Sequence, residues 1–446
     1  MKTAAVICEL NPFHNGHAYL MKKLREESGA DYIIALMSGN YVQRGEPAVF
    51  EKYTRAKMVL SGSSGAYADL VLEMPALFST ASAREFAAAG VRMALLSGVA
   101  DCIGFGTEGS ADTAGLERQA AFLEAAENTS DPSVSALVKA ALKAGKTYPE
   151  ALASAGFSIN GSEASVHPDI TSTSPEASVN PGTASSSQSA VITAPNSIEA
   201  ADISAPNNIL AAEYLRALKR FDPEHSIKPY SISRVGDGYS STEAEDPHFC
   251  SAGSLRKILL DQVSGSDRRD LFLRDHVPPA ALLEYQSFPP LHPDAFSPYL
   301  NKALLEAKYR HQDLSVFADV SKEIADRLIS RADLLLPFTA RISDTKTRQY
   351  TYTRISRALL HIALGITKES VRAAKDSGYI NYLRILGFRK SAAPLLKALK
   401  SNAAVPLVTK TADCRELLGD QLLYDQMYLA LMSGKNEFQQ SPVIRL

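Results

Sequence analysis

Two histidines three residues apart, His14 and His17, are the side chains near the start of the chain that are best suited to chemistry. Imidazoles can donate hydrogen bonds to phosphate oxygens as negative charge develops on them. The free N–H groups of the first turn of a helix bind the same oxygens. Gly16, between the histidines, would let the backbone approach a ligand closely. This block therefore indicates a phosphate site rather than two structural loop histidines.

The surrounding elements must place this block where a strand ends and a helix begins. Residues 3–8 form an apolar run that predicts a buried strand, and Asn11-Pro12 ends it. Residues 16–28 then have helical spacing. Further strands are predicted at 32–37, 69–74 and 100–105, and helices at 52–61 and 82–96. This alternation predicts a parallel sheet covered on both faces, with ligands at the carboxyl ends of its strands.

Two loops at that edge are further candidates for the site. The loop at 37–47 brings together Gln43, Arg44 and Glu46, which either contact a ligand or form a surface ion pair. Gly106 ends an apolar strand and either admits a nucleotide to the backbone or serves as a turn glycine.

The bulk composition is that of a soluble globular protein, with 45% apolar and 22% charged residues in 446. The four cysteines are widely spaced, which argues against a disulfide framework or a zinc site and favours a reducing, cytoplasmic location. No signal peptide or membrane span is predicted, and we assign no residue as a metal ligand.

The composition changes at 154–205, a Ser/Ala/Thr/Pro-rich stretch without Lys or Arg that predicts a disordered insertion. We therefore expect 1–150 to be the first part of a nucleotide-binding domain, which 206–265 completes. In that second part, Asn207 or Asn208 caps a helix, which leaves one amide free for a ligand. Ser251 to Lys257 opens another helix, which is either a phosphate-binding turn with Arg256 or an ordinary Ser-capped helix.

The region 266–446 has a mostly helical pattern and contains a concentrated basic block. Residues 341–400 hold 13 Lys/Arg and 3 Asp/Glu, a surplus typical of a surface that binds a phosphate backbone. A helix predicted at 350–365 carries Arg354, Arg357 and His361 on one face. Farther along, cations interleave with Tyr379, Tyr382 and Phe388, a pattern typical of RNA readers. A solvated basic face and core aromatics would give the same pattern.

The His-x-Gly-His block after a strand resembles the signature of the HIGH-type nucleotidyltransferase superfamily. Further motifs resemble those of the tRNA(Met) cytidine acetate ligase family: Glu-x-Asn-Pro-Phe-His-Asn-Gly-His at 9–17, Met-Ser-Gly-x-x-x-Gln-Arg-Gly-Glu-Pro at 37–47, Glu-x-Pro at 73–75, Phe-Gly-Thr-Glu at 105–108 and Asn-Asn-Ile-Leu at 207–210. The resemblance covers residues up to about 110 and 206–260, and returns more weakly at 345–390. Gly253 departs from it, because the superfamily's second signature usually has a threonine there, and Ser254 is the available substitute.

The resemblance implies an α/β fold, with a parallel-sheet, Rossmann-like nucleotidyltransferase domain followed by an α-helical C-terminal domain. It implies ATP-dependent activation of acetate to acetyl-adenylate and transfer of the acetyl group to N4 of the wobble cytidine of elongator tRNA(Met), with Mg²⁺ accompanying ATP. The alternatives are a small-molecule adenylyltransferase and a non-catalytic RNA-binding protein with a nucleotide-binding fold.

The same resemblance implies the site residues. His14 and His17 are the expected catalytic residues. The expected ATP contacts are Ile7, Cys8, Glu9, Leu10, Asn11, Pro12, Phe13, His14, Asn15, Gly16, His17, Ala18, Tyr19, Leu20, Gly106, Asn208, Arg234 and Arg256. The expected tRNA contacts, chosen from the basic block, are Arg354, Arg357, Arg384, Arg389 and Lys390.

Overall fold

The structure is a computed structural model that describes residues 1–109, 113–127, 132–144, 146, 150–151, 154, 205–236, 246–261, 266–348, 350–432 and 436–445. The insertion predicted at 154–205 lies outside the described residues, apart from its two end positions.

A mostly parallel sheet forms the centre of the fold. In chain order its strands are β1 (Thr3–Cys8), β2 (Tyr32–Ser38), β5 (Leu70–Met74), β6 (Cys102–Thr107), β7 (Lys228–Ser233), β8 (Leu383–Arg389), β9 (Leu407–Val408) and β10 (Val443–Arg445). Across the sheet the order is β10-β8-β5-β2-β1-β6-β7, and β9 pairs with β8. The pair β5–β8 is antiparallel and the other pairs are parallel. A separate hairpin consists of β3 (Tyr41–Val42) and β4 (Glu46–Pro47).

Helices cover both faces of the sheet and form a further layer. They are α1 (Asn15–Ser28), α2 (Lys52–Leu60), α3 (Ala76–Ser79), α4 (Ala83–Ser97), α5 (Thr113–Glu127), α6 (Pro132–Lys143), α7 (Pro206–Phe221), α8 (Ala252–Leu260), α9 (Ser266–His276), α10 (Pro279–Ser287), α11 (Ser297–Tyr309), α12 (Lys322–Ser330), α13 (Phe338–Thr345), α14 (Tyr352–Leu364), α15 (Lys368–Asp376), α16 (Ala393–Asn402), α17 (Arg415–Leu418) and α18 (Asp420–Leu429). Short 3₁₀ helices lie at Pro293–Phe296, Leu314–Val316, Ala332–Leu334, Lys390–Ala392, Ala412–Cys414 and Glu437–Gln439.

The predicted α/β architecture is confirmed, and the His14–His17 block lies between the end of β1 and the first turn of α1, as expected. Every residue of β1 is buried, because α4 covers one face of the sheet and α1 covers the other. Two glycines make this packing possible. A Cβ added at Gly90 of α4 would lie 2.6 Å from Cδ1 of Ile7, and one at Gly104 of β6 would overlap the Leu24 side chain of α1. The two helices therefore lie close against the sheet and fix the end of β1.

The C-terminal region differs from the expected helical domain, because it also completes the central sheet. It contains the predicted helices, including α14, which ends at Gly365 in the left-handed conformation (φ 79°). It also supplies β8, β9 and β10, and β8 lies directly against β5. The apolar residues of β8 are buried in this sheet, which explains why a strand follows a mostly helical stretch.

A buried cluster of charges joins β8 to the first part of the chain. Lys52 Nζ lies 2.9 Å from Glu73, 2.6 Å from Asp425 and 3.0 Å from Glu437. The Arg384 guanidinium contacts the same three carboxylates. All five side chains are at most 2% exposed, so each charge depends on the others for its stabilisation. Burial raises the pKa of Asp425 to about 7 despite the two cations.

Among the described residues, no helix combines the length and the apolar character that crossing a membrane requires.

Candidate active site at the carboxyl edge of the sheet

A cavity opens at the carboxyl ends of β1, β6 and β7, where parallel-sheet folds bind their ligands. The start of α1, the hairpin, α4, α7 and α8 enclose it. The predicted nucleotide residues that line it are Ile7, Cys8, Glu9, Asn11, His14, Gly16, His17, Tyr19, Leu20, Gly106, Arg234 and Arg256. These residues therefore lie together at one cavity, at the carboxyl edge where a ligand was predicted.

His14 caps the first turn of α1 with its own ring. Its Nδ1 accepts a hydrogen bond from the Gly16 N–H over 3.0 Å, so the ring hydrogen is on Nε2. A Cβ at position 16 would lie 2.8 Å from Cε1 of His14, so the ring can take this place only because residue 16 is a glycine. Burial, together with His17 and the nearby arginines, lowers the pKa of His14 well below its ordinary value. His14 is thus a neutral donor through Nε2.

His17 lies one turn into α1, with its ring centroid 4.0 Å from that of His14. Its Nδ1 is buried and has no hydrogen-bond partner within the described part of the chain. Burial, with a smaller contribution from Arg234, lowers its pKa to about 3. A buried imidazole nitrogen without a partner, beside a cavity, is suited to an oxygen of a bound ligand.

Two arginines and a glycine complete the lining of the cavity near the histidines. Arg234 follows β7, and a Cβ at Gly106 would lie 3.3 Å from its Cγ, so Gly106 leaves room for this side chain. Arg256 of α8 donates from Nη1 to the carbonyl oxygen of Asn11 over 2.8 Å. This contact fixes the loop before α1 and places a second cation beside the histidines. The set of neutral donors and cations is suited to a polyphosphate.

Neither asparagine of α7 caps the helix as predicted, because Ala205 is the N-cap and no side chain makes a capping hydrogen bond. Asn208 is fully buried and does not line the cavity. Its amide accepts from the Glu108 N–H (2.8 Å) and donates to the Glu108 carbonyl (3.1 Å), so it holds the loop after β6. Asn207 faces the cavity and donates to the Glu108 carboxylate over 2.6 Å. The choice of Asn208 as a ligand contact was wrong, and Asn207 is the amide at the site.

Some residues of the 7–20 stretch support the cavity without lining it. Leu10 and Phe13 are fully buried in the core, and Pro12 and Ala18 are buried as well. Asn15 donates to the carbonyl oxygens of His248 and Asp275. Cys8 lines the cavity from a buried position that raises the pKa of its thiol to about 12, so it is not a nucleophile.

The second predicted phosphate turn, at the start of α8, is a Ser-capped helix that also borders the cavity. The Ser251 hydroxyl accepts from the Ser254 N–H over 3.0 Å and lies 3.1 Å from the Ser254 hydroxyl. Ser254 is buried in this cap and does not line the cavity, so it does not replace the missing threonine. Gly253 does line the cavity, as Arg256 does.

The hairpin of β3 and β4 reaches from the cavity to the C-terminal helices. Gln43 and Arg44, at its tip, line the cavity, in agreement with the functional interpretation of this loop. The Gln43 N–H donates to Oε1 of Glu9 over 2.6 Å. Gly45, in the left-handed conformation (φ 80°), packs against the backbone of Arg357 in α14, and its carbonyl accepts from the Ser356 hydroxyl over 2.9 Å. The hairpin therefore joins α14 to the cavity.

The five basic residues predicted to contact RNA do not form one surface. Arg384 is 2% exposed within the buried charge cluster, so its assignment to RNA binding was wrong. Arg389 donates to the carbonyl oxygens of Leu60 and Gly62 and stacks on Tyr67, which occupies its guanidinium. Lys390 is exposed, but it follows β8 at the amino edge of the sheet, opposite the cavity.

On α14 the two arginines have different surroundings. Arg357 pairs with Asp319 over 2.9 Å. Arg354 lies at the start of α14, and its Nε is without a hydrogen-bond partner in the described ranges. His361, predicted on the same face, is instead buried against Thr80 and Ala318. Tyr379 and Tyr382 are also buried, so they are core residues and do not stack on RNA bases.

One residue that supports the site from within the core was not predicted from the sequence. Arg55 of α2 is fully buried and donates to the carbonyl oxygens of Glu9 (2.6 Å), Phe50 (2.9 Å) and Gly39. It thereby ties together the ends of β1 and β2 and the loop before α2. The sequence offers no signal for this role, because Glu51 and Lys52 lie one turn before Arg55 and make it resemble a surface residue.

Among the described residues, no group of three or more His, Cys, Asp and Glu side chains is arranged to hold a metal ion. The cavity therefore presents hydrogen-bond donors and cations to a bound ligand, and not a ready-made metal site.

Known proteins are similar to this chain in sequence and in fold. A model of the HIGH nucleotidyl transferase family matches residues 1–442. Two relatives named tRNA(Met) cytidine acetate ligase, from Acetivibrio thermocellus and Geobacillus sp., are 33% and 30% identical, and each match covers 93% of this chain and 89% or 90% of the relative. The crystal structure of apo Thermotoga maritima TmcAL superposes with a TM-score of 0.79 at 25% identity over the whole of both chains. That of the same protein bound to alpha-thio ATP gives 0.77 at 25% identity, also over both whole chains.

Proposed function

The chain belongs to the tRNA(Met) cytidine acetate ligase family, and we propose from this premise that it uses ATP and acetate to acetylate N4 of the wobble cytidine of elongator tRNA(Met). The observation that carries the proposal is the cavity itself. Two neutral histidines, the start of α1 and two arginines converge there on one ligand space, which fits a triphosphate. The names of the relatives favour this function over a small-molecule adenylyltransferase or a non-catalytic RNA-binding protein.

In the first step, an acetate oxygen attacks the α-phosphorus of ATP and pyrophosphate leaves, which gives acetyl-adenylate. The Nε2–H of His14 and the ring of His17 donate to phosphate oxygens as charge develops, and Arg234 and Arg256 neutralise the remaining charge. The main contribution of the chain is to hold both reactants in line. Mg²⁺ would arrive with the phosphates of ATP, because the described residues offer no cluster of their own to hold it.

In the second step, the acetyl group passes to tRNA, which we place along the start of α14. Arg354 is half-buried there, and the exposed Lys346 and Arg348 precede the helix. The hairpin connects this surface to the cavity, because Gly45 contacts α14 and Gln43 contacts Glu9 in the cavity wall. These cations are suited to a phosphate backbone, and their position is suited to an anticodon that must reach the adenylate.

The first experiment is acetate-dependent ATP–pyrophosphate exchange, followed by incorporation of labelled acetate into total tRNA with nucleoside analysis. We expect exchange that requires acetate, and label recovered as N4-acetylcytidine. Exchange without labelled tRNA would keep the nucleotide site and refute the acceptor. No exchange with acetate or with any other carboxylate would refute the ligase activity.

A matched pair of variants ties the activity to the cavity. His17→Asn should lower exchange by about 10²-fold or more, since it removes a donor to the reacting phosphate. His311→Asn makes the same change at an exposed histidine with a left-handed backbone (φ 54°), which asparagine tolerates, and should leave exchange unchanged.

A further inference from the structure

Glu9 is the first residue after β1, and one contact holds its carboxylate while another holds its backbone. Its Oε1 accepts the Gln43 N–H of the hairpin over 2.6 Å, and its backbone carbonyl accepts from the buried Arg55 over 2.6 Å. It is half-buried and lines the cavity between the histidines of α1 and the tip of the hairpin. The residue is therefore tied to the hairpin at the point where the hairpin meets the loop that follows β1.

The partners of this carboxylate within the chain do not satisfy it. Glu9 forms no ion pair with a described Lys, Arg or His, and Oε2 has no hydrogen-bond partner among the described residues. Oε2 is not among the buried atoms without a partner, so a ligand in the cavity can reach it. A fixed, half-buried carboxylate with a free oxygen is thus suited to a donor from outside the chain.

The chemistry of the two reactions identifies that donor. Acetate and the phosphates of ATP are anions, and a carboxylate repels them. The exocyclic amine of cytosine is a neutral donor, and a glutamate is a side chain that accepts from it. The adenine amine and the ribose hydroxyls of ATP are neutral donors as well, but the cytosine amine is the only one of these groups that must also lose a proton in the reaction, which a carboxylate can accept.

The approach of the RNA agrees with this assignment. The hairpin residue Gln43 binds Glu9, and two residues later Gly45 packs on the backbone of Arg357. RNA bound along the start of α14 therefore lies next to the hairpin, which also contacts Glu9.

We propose that Glu9 receives the N4 amino group of the acceptor cytosine and takes its proton during acetyl transfer, an inference that rests on the proposed function. The N4 lone pair forms a bond to the carbonyl carbon of acetyl-adenylate. The bond from that carbon to the phosphate oxygen breaks, and AMP leaves with the electron pair. One N4 proton passes to Oε2 of Glu9 and then to solvent, so charge and atoms balance.

The test compares the two half-reactions in the full-length enzyme. Glu9→Gln keeps the size of the side chain and an oxygen for the Gln43 N–H but removes the base. We expect the ratio of acetyl transfer to acetate-dependent exchange to fall about 10²-fold, in the range of general base contributions. The same change at exposed Glu26 of α1, Glu26→Gln, should leave this ratio at the wild-type value.

Each other outcome has a distinct meaning. Equal loss of exchange and transfer in Glu9→Gln would make Glu9 part of the nucleotide site and overturn the inference, as would full transfer activity. If the wild-type enzyme itself shows no exchange, the proposed function fails, and the inference fails with it.

A binding measurement gives a readout that a purely structural glutamate would not change. Anticodon stem-loop RNAs with cytosine or uracil at the wobble position differ at one group, an amine against a carbonyl oxygen. Wild-type enzyme should prefer the cytosine form by about fivefold or more, and Glu9→Gln should lose or reverse that preference because the amide can donate to uracil. An unchanged preference would refute contact between Glu9 and the base.

Discussion

Arg384 and Glu73 form a buried ion pair with 3.2 Å between Nη1 and Oε2, although they lie in the last and first quarters of the chain. Their strands, β8 and β5, are neighbours in the central sheet, and Glu73 pairs in register with Arg384. Lys52, Asp425 and Glu437 share the same buried space. The nucleotide-binding sheet and the C-terminal helices thus depend on one set of charges.

Removing one member of this cluster should strongly destabilise the protein. Arg384→Met leaves three buried carboxylates with Lys52 alone, and we expect a loss of about 3–5 kcal/mol in the free energy of unfolding. Chemical denaturation would measure it. Lys390→Met, at an exposed position one residue beyond the same strand, is the matched control and should change stability by less than about 0.5 kcal/mol. Similar stability for both variants would refute the structural role of the cluster.

Gly16 should matter because of its neighbour rather than its backbone conformation. Gly16→Ala places a Cβ 2.8 Å from Cε1 of His14, so the ring must leave its capping position. We expect exchange to fall about 10-fold or more, while the loss of one cap costs about 1 kcal/mol of stability. Glu27→Ala, an exposed site on the same helix, should change neither quantity. Normal exchange in Gly16→Ala would mean that the position of the His14 ring is not needed.

The lowered pKa of His17 should make the free energy of unfolding depend on pH. The pKa of His17 is 6.5 in the unfolded chain and about 3 in the folded one, so the folded state binds the proton less well. The resulting stability is fully present above pH 6.5 and is lost as the pH falls toward 3. Denaturation midpoints at about pH 7.5 and pH 5 should therefore differ more for wild type than for His17→Asn. Parallel shifts in the two proteins would refute a buried neutral His17, and His311→Asn should follow wild type.

The tRNA surface should be separable from the active site. The double variant Arg348→Glu, Arg354→Glu should weaken tRNA binding and lower the dependence of log affinity on log salt by about two units. Acetate-dependent exchange should remain, because both residues lie outside the cavity. The charge-matched control is Lys390→Glu with Lys397→Glu, on exposed residues that follow β8. Equal losses in both double variants would show that the start of α14 is not a preferred surface.

Local patterns predicted the strands and helices that form the cavity, because an apolar run or a helical period depends on neighbouring residues. Features predicted correctly in this way are the end of β1, the start of α1 and the capping glycine at 365. The same reasoning failed for Arg384. A basic residue in a basic block resembles a surface residue, and its partners Glu73, Asp425 and Glu437 are distant in sequence.

The error at Asn208 has a different cause. Two adjacent asparagines at the start of a helix point in different directions, and only the position of the helix against β6 decides which one faces the ligand. The contact between the hairpin and α14 at Gly45 could not be predicted either, since no pattern in the sequence relates these two segments.

The place of β8 in the sheet has a consequence for synthesis on the ribosome. A nascent chain that has not yet reached residue 383 leaves the outer edge of β5 unpaired and Lys52 and Glu73 without Arg384. Such an edge is a template for pairing with other chains, and transient exposure of this kind favours aggregation. Premature termination before β8 should therefore yield insoluble fragments, even though every residue of the His14–His17 block has already been made.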